Sequence, residues 1–89
     1  MKISKSLSIG DLSFKYAQHG RNSIGLIVSK HYGNAVSRNL FKRRCRDLFM
    51  KNFILQKASI ALIVRPKKQN ISFKDLDSAF KELYEQIFV

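Results

Sequence analysis

The segment Ala35–Phe53 carries two different stripes on one helical wheel, and this most constrains the fold. At about 100° per residue, Phe41, Cys45, Leu48 and Phe49 fall within an arc of about 100°. Arg38, Asn39, Lys42, Arg43 and Arg46 fall within an arc of about 140° beside it. Such a helix must bury one side against other elements while the adjoining side stays in water. It therefore belongs on the outside of a layered domain.

The remaining chain supplies the partners for that seam. Leu12–Ala17 reads as a strand in which Phe14 and Tyr16 share parity. His19–Ser23 reads as a turn, and Ile24–Ser29 as a continuous apolar strand with Gly25 leaving room for a close neighbour. The two strands are expected to form a hairpin. Gly33-Asn34 marks a turn before the helix. Ser59–Arg65 is a further strand, rich in Ile, Leu and Val and stopped by Pro66. After the polar loop Lys67–Asn70, Ser72 is placed to cap a last helix, with Asp75 as its capping-box partner. Phe73, Leu76, Phe80, Leu83, Tyr84 and Ile87 recur there at helical spacing. Two helices and at least three strands predict one domain over residues 1–89, of α/β (α+β) class: a two-layer sandwich with helices on one face of a small sheet and the other face free for contact.

Charge narrows the function. The 89 residues carry a formal net charge of +11. Between Lys30 and Lys68 there are eleven basic residues and a single acid, Asp47, while four of the six acids come later. A cationic surface this concentrated predicts a polyanionic partner. Arg38, Lys42 and Arg46, at i, i+4 and i+8, line one side of the helix. The forked donors of arginine match phosphate oxygens, and Asn39 among them offers a further hydrogen-bonding group. Phe14, Tyr16 and Tyr32 are candidates for base stacking, against the alternative that they are core residues.

Own catalysis has little support. The carboxylates are few and scattered, so no cluster suits a metal nuclease. His19 and His31 are isolated loop histidines, and Cys45 sits in the apolar seam of its helix. A lone cysteine makes no internal disulfide and fits a cytoplasmic protein. The longest apolar runs, such as Ile60–Val64, are far short of the roughly 20 residues of a membrane span. If the chain takes part in catalysis, a partner carries the chemistry; two further readings are a plain RNA-binding assembly protein, such as a small ribosomal protein, and a self-sufficient small nuclease.

The ordered set from Ile24 to Phe49, IGLIVSKHYGNAVSRNLFKRRCRDLF, resembles the protein component of bacterial ribonuclease P. The matching positions are Ser29 and Lys30, Gly33 to Val36, Arg38 and Asn39, Lys42 and Arg43, and Arg46 and Asp47. The resemblance extends less specifically over residues 12 to 88. It implies a compact α/β sandwich with a left-handed crossover. It also implies partnership, one protein per RNA, with a catalytic RNA that removes the 5′ leader of precursor tRNA. Magnesium would be held mainly by that RNA, and the protein would add affinity for substrate and metal. By position, the resemblance implies RNA contacts at Lys30, Arg38, Asn39, Lys42, Arg43, Arg46 and Arg65, and leader contacts at Phe14 or Tyr16. Substitution of Phe14 or Tyr16 is then expected to spare docking on the catalytic RNA. The family's first helix is expected to be missing: eleven residues precede Leu12, and Gly10-Asp11 interrupts them. Asp47 stands where the family more often has glutamate.

Overall fold

The computed structural model describes residues 5–18, 22–57 and 59–88. Most of the turn expected at His19–Ser23, His19 included, lies outside the described residues. Four strands, β1 (Lys5–Ile9), β2 (Leu12–Ala17), β3 (Ser23–Leu26) and β4 (Ala61–Pro66), form one sheet in the order β1-β2-β4-β3. Of two helices, α1 (Ala35–Phe49) is flanked by a 3-10 turn at Lys30–Tyr32 and a π-helical turn at Met50–Ile54, and α2 (Phe73–Phe88) follows β4.

Strand β1 was not expected. Leu7 and Ile9 alternate with serines, and Gly10 takes φ +56° to turn the chain back. A left-handed φ costs glycine nothing, so Gly10-Asp11 makes a tight hairpin with Ile9 opposite Leu12. The segment expected to lack a helix is thus an edge strand.

The hairpin expected between β2 and β3 does not form. Strand β4 lies between them, antiparallel to β2 and parallel to β3. The reason is hydrophobicity: Ile60, Ala61, Leu62 and Val64 are all buried, and only a central position covers so apolar a strand. The parallel ladder is anchored where Ser23 N–H donates to Ile60 O (3.1 Å) and Ile60 N–H donates to Asn22 Oδ1 (2.9 Å). Segment β3–α1–β4 is therefore a crossover unit.

Register fixes the two faces of the sheet. Leu7, Phe14, Val64 and Leu26 are cross-strand neighbours on one side, with Tyr16, Leu62 and Ile24 in the next row. Both helices pack on this side. The Phe14 ring meets Phe80 of α2 edge-on at 5.5 Å, and Phe41, Cys45 and Leu48 of α1 join the same cluster. The opposite side presents Ser6, Lys15, Ile63 and Gly25 in one row and Ser8, Ser13 and Arg65 in another. At Gly25 an added Cβ would meet Ile63 Cγ1 at an ordinary 3.7 Å, so no tight neighbour within the chain requires a glycine there.

Helix α1 stops at Phe49, four residues earlier than expected. A regular α-helix would aim Phe53 into the middle of the cationic arc. One inserted residue turns the phase back by about 100°. The π-helical turn does this, with Leu55 N–H donating to Met50 O at 2.9 Å. Phe53 is thereby fully buried, beside Phe49, Tyr84 and Phe88. Helix α2 begins as expected, with Asp75 N–H donating to Ser72 Oγ at 3.2 Å, and buries Leu76, Ala79, Phe80 and Leu83.

Candidate nucleic-acid interface

Asn34 starts α1 from an extended conformation, its Oδ1 accepting from Ser37 N–H at 2.9 Å. This cap fixes the phase of everything after it. The first turn of α1 contains no acid, so the positive end of the helix dipole is not offset locally. Arg38 and Lys42 are half-buried at the border of the seam, while Asn39, Arg43 and Arg46 are exposed. Arg38 Nη1 donates to Gly33 O at 3.2 Å, which pins that guanidinium beside the helix start.

The two salt bridges among the described residues, Lys68–Asp11 and Lys81–Asp77, both lie away from this face. Arg38, Lys42, Arg43 and Arg46 thus stand together without a carboxylate partner among the described residues. Their mutual repulsion is relieved by a polyanion, which also releases its own counterions. Arg44, within the same basic run, points elsewhere: its guanidinium lies 5.6 Å from the Phe73 ring centre. This cation–π contact ties α1 to the start of α2.

A second cationic element lies on the open face of the sheet. Arg65 is exposed there opposite Ser13, and Lys15 is exposed in the adjoining row. Lys15 was missed from the sequence. The signal was parity: if Phe14 and Tyr16 point inward, Lys15 must point outward. Lys30 is exposed in the 3-10 turn before α1.

The aromatic candidates do not join either surface. Phe14 is completely buried, so its ring has no face left for a base, and the leader contact expected there is withdrawn. Tyr16 is half-buried on the helix-facing side, not on the open face. Tyr32 packs against Phe41 at 4.9 Å and its hydroxyl accepts from Ile71 N–H at 3.2 Å. Burial in each case follows from the small core, which needs every large apolar ring it has.

Cys45 is buried, and desolvation pushes its thiol up to about 12, with Arg46 pulling weakly the other way. It stays protonated at neutral pH and is no nucleophile. Among the described residues no group of three or more His, Cys, Asp or Glu is placed to hold a metal ion. Nor is any helix there long and apolar enough to cross a membrane.

Comparison with known proteins agrees with this arrangement. A family model described as ribonuclease P matches residues 4–87. The ribonuclease P protein component of Finegoldia magna is 40% identical over 58 residues, covering 63% of this chain and 51% of that protein. That of Helicobacter acinonychis is 45% identical over 62 residues, covering 67% of this chain and 40% of its own length. The chain therefore aligns with about half or less of these relatives. Among solved structures, the RNase P protein of Thermotoga maritima bound to 1-(4-fluorophenyl)-2-thiourea superposes with a TM-score of 0.80. It has 23% identity and covers 97% of this chain and 88% of that one. The Staphylococcus aureus RNase P protein gives a TM-score of 0.76 at 20% identity, covering 97% and 83%. Matched over nearly its whole length by the family model, and carrying the fold of these structures, the chain belongs to the ribonuclease P protein family.

Proposed function

We propose that this chain is the protein subunit of a ribonucleoprotein ribonuclease P. It assists a catalytic RNA in removing the 5′ leader of precursor tRNA, as one protein per RNA. The observation that carries the proposal is the α1 face: Arg38, Asn39, Lys42, Arg43 and Arg46 stand together on a capped helix with no carboxylate partner among the described residues. That face docks on the catalytic RNA, joined by Lys30 at its base. The open sheet face, with Lys15 and Arg65 flanked by serines, takes the single-stranded leader. Lys15 replaces Phe14 in that role.

The chain contributes electrostatics, not chemistry. It lowers the repulsion between two RNAs and so lets magnesium on the catalytic RNA act at lower concentration. Its own side chains among the described residues make no cluster fit to hold that magnesium. A general assembly protein would share the cationic helix, but the family match over residues 4–87 favours the ribonuclease P reading.

Cleavage of precursor tRNA by the source organism's catalytic RNA at low magnesium tests this. Adding the 89-residue chain is expected to restore cleavage that is nearly absent without it. Tight RNA binding with no rescue would point to an assembly role. Cleavage by the purified protein alone, lost in its point variants, would overturn the assignment of chemistry to the RNA.

A further inference from the structure

Helix α1 is entered from a turn that cannot hold itself. Lys30–Tyr32 is a single 3-10 turn with one backbone bond, Tyr32 N–H donating to Ser29 O at 3.1 Å, and no side-chain cap. One such bond does not offset the cost of ordering three residues. Yet this turn carries the exposed Lys30. What fixes the place of Lys30 must therefore come from elsewhere in the chain.

The loop after β4 supplies it. Gln69 Nε2 donates to His31 O at 2.6 Å, and Ile71 N–H donates to Tyr32 OH at 3.2 Å. The bonds span 38 and 39 residues, so both are tertiary ties, made to successive residues of the turn. Asn70 between the two donors takes φ +52°, a left-handed conformation that asparagine adopts more readily than most residues. The loop is itself anchored at its other end. Lys67 N–H donates to Asp11 O at 2.7 Å, and Lys68 Nζ pairs with Asp11 Oδ2 at 3.0 Å. The β1–β2 turn, the loop after β4 and the turn before α1 are thus linked in series.

Packing alone does not account for the two side chains that make these ties. The Tyr32 ring lies against Phe41, and a phenylalanine would fill the same space without the hydroxyl. Gln69 is exposed and adds nothing to the core.

We propose that Tyr32 and Gln69 are positioning residues for RNA docking: they clasp the Lys30–Tyr32 turn and so hold Lys30 in place before the RNA arrives. Ordering this segment in advance removes that cost from binding. The proposal rests on the ribonuclease P reading, in which Lys30 meets the catalytic RNA.

Affinity of the full chain for the source organism's catalytic RNA tests it. Gln69→Met keeps length and shape without the donor, and Tyr32→Phe removes only the hydroxyl. Each is expected to weaken binding by about fivefold, the effect of one hydrogen bond. Tyr32→Phe also leaves the buried Ile71 N–H unpaired and lowers stability. Gln69→Met, at an exposed position, separates positioning from folding. Gln86→Met removes a glutamine bond to Glu82 on α2 and is expected to leave affinity unchanged. A double-mutant cycle identifies the residue through which the clasp acts. In the Lys30→Ala background Gln69→Met is expected to have no further effect, while in the Arg46→Ala background the same loss remains. A general loosening of the fold would act equally in both backgrounds. Such equal losses, or unchanged affinity of Gln69→Met beside a weakened Lys30→Ala, would overturn the proposal alone. Unchanged affinity of Lys30→Ala would take Lys30 off the docking surface, and the proposal with it.

Discussion

Arg46→Ala is expected to weaken binding of the catalytic RNA by about tenfold and to flatten its salt dependence. Removing one phosphate contact lowers the slope of log affinity against log salt by about 0.7 to 0.9. The guanidinium is exposed on the central line of the cationic arc, so its removal leaves no cavity and no unpaired buried group. Lys42→Ala is expected to act in the same direction, and the pair together by up to about a hundredfold if the two effects add. Lys74→Ala is the matched control, since it removes one charge from α2. Filter binding over a series of salt concentrations measures all four proteins. If affinity simply followed net charge, Arg46→Ala and Lys74→Ala would be indistinguishable. The account predicts that only the α1 variants change the slope.

Phe14→Ala is expected to destabilise the fold by about 3–5 kcal/mol, measured by urea unfolding. Domains of this size are stable by about 5–15 kcal/mol in total, so the variant stands near the edge of folding. The cause is local. Phe14 is fully buried between Val64 on the neighbouring strand and Phe80 on α2, so truncation leaves a cavity that closely packed walls fill only in part. Lys15→Ala, one residue along, is expected to cost no more than about 0.5 kcal/mol. Its effect should instead appear as poorer discrimination of precursor from mature tRNA. The two neighbours thus separate core from contact surface: one variant unfolds easily and the other folds normally but reads the leader less well. Equal stability of the two variants would contradict the burial of Phe14 against Phe80 of α2.

The reversal of Phe14 and Lys15 shows what a sequence holds and what it leaves open. Alternation told that Phe14 and Tyr16 share a face, but not which face meets the helices. A one-residue shift of register exchanges the two sides. The face was decided by helices distant in the chain, through Phe80. Helix α1, its seam and its cationic arc were legible because a 3.6-residue period names its own buried side. Its end was not, since the π-helical turn at Met50–Ile54 answers to Phe53 seeking Phe49, Tyr84 and Phe88. Strand β4 was legible from its apolar run, yet the same run placed it between β2 and β3 and displaced the expected hairpin. Strand β1 lay below the threshold of pattern: five residues, two of them apolar, with an edge position that asks for little burial. The members of the cationic surface came from the ordered residues at positions 29 to 47. That Arg44 leaves the surface for Phe73 is a tertiary fact.

One side of α1, rather than the net charge of the whole molecule, is expected to dock on the catalytic RNA. The native thiol, Cys45, is buried and protonated, so an introduced surface cysteine is the reactive one. Val36→Cys on the rim of the α1 arc and Ser78→Cys on α2 are both at exposed, uncharged positions. An iron chelate tethered to each, in complex with the catalytic RNA, generates hydroxyl radicals that cut nearby backbone. The account predicts a discrete set of cuts from position 36 and few or none from position 78. Cuts of equal strength from both positions, or from position 78 alone, would contradict it.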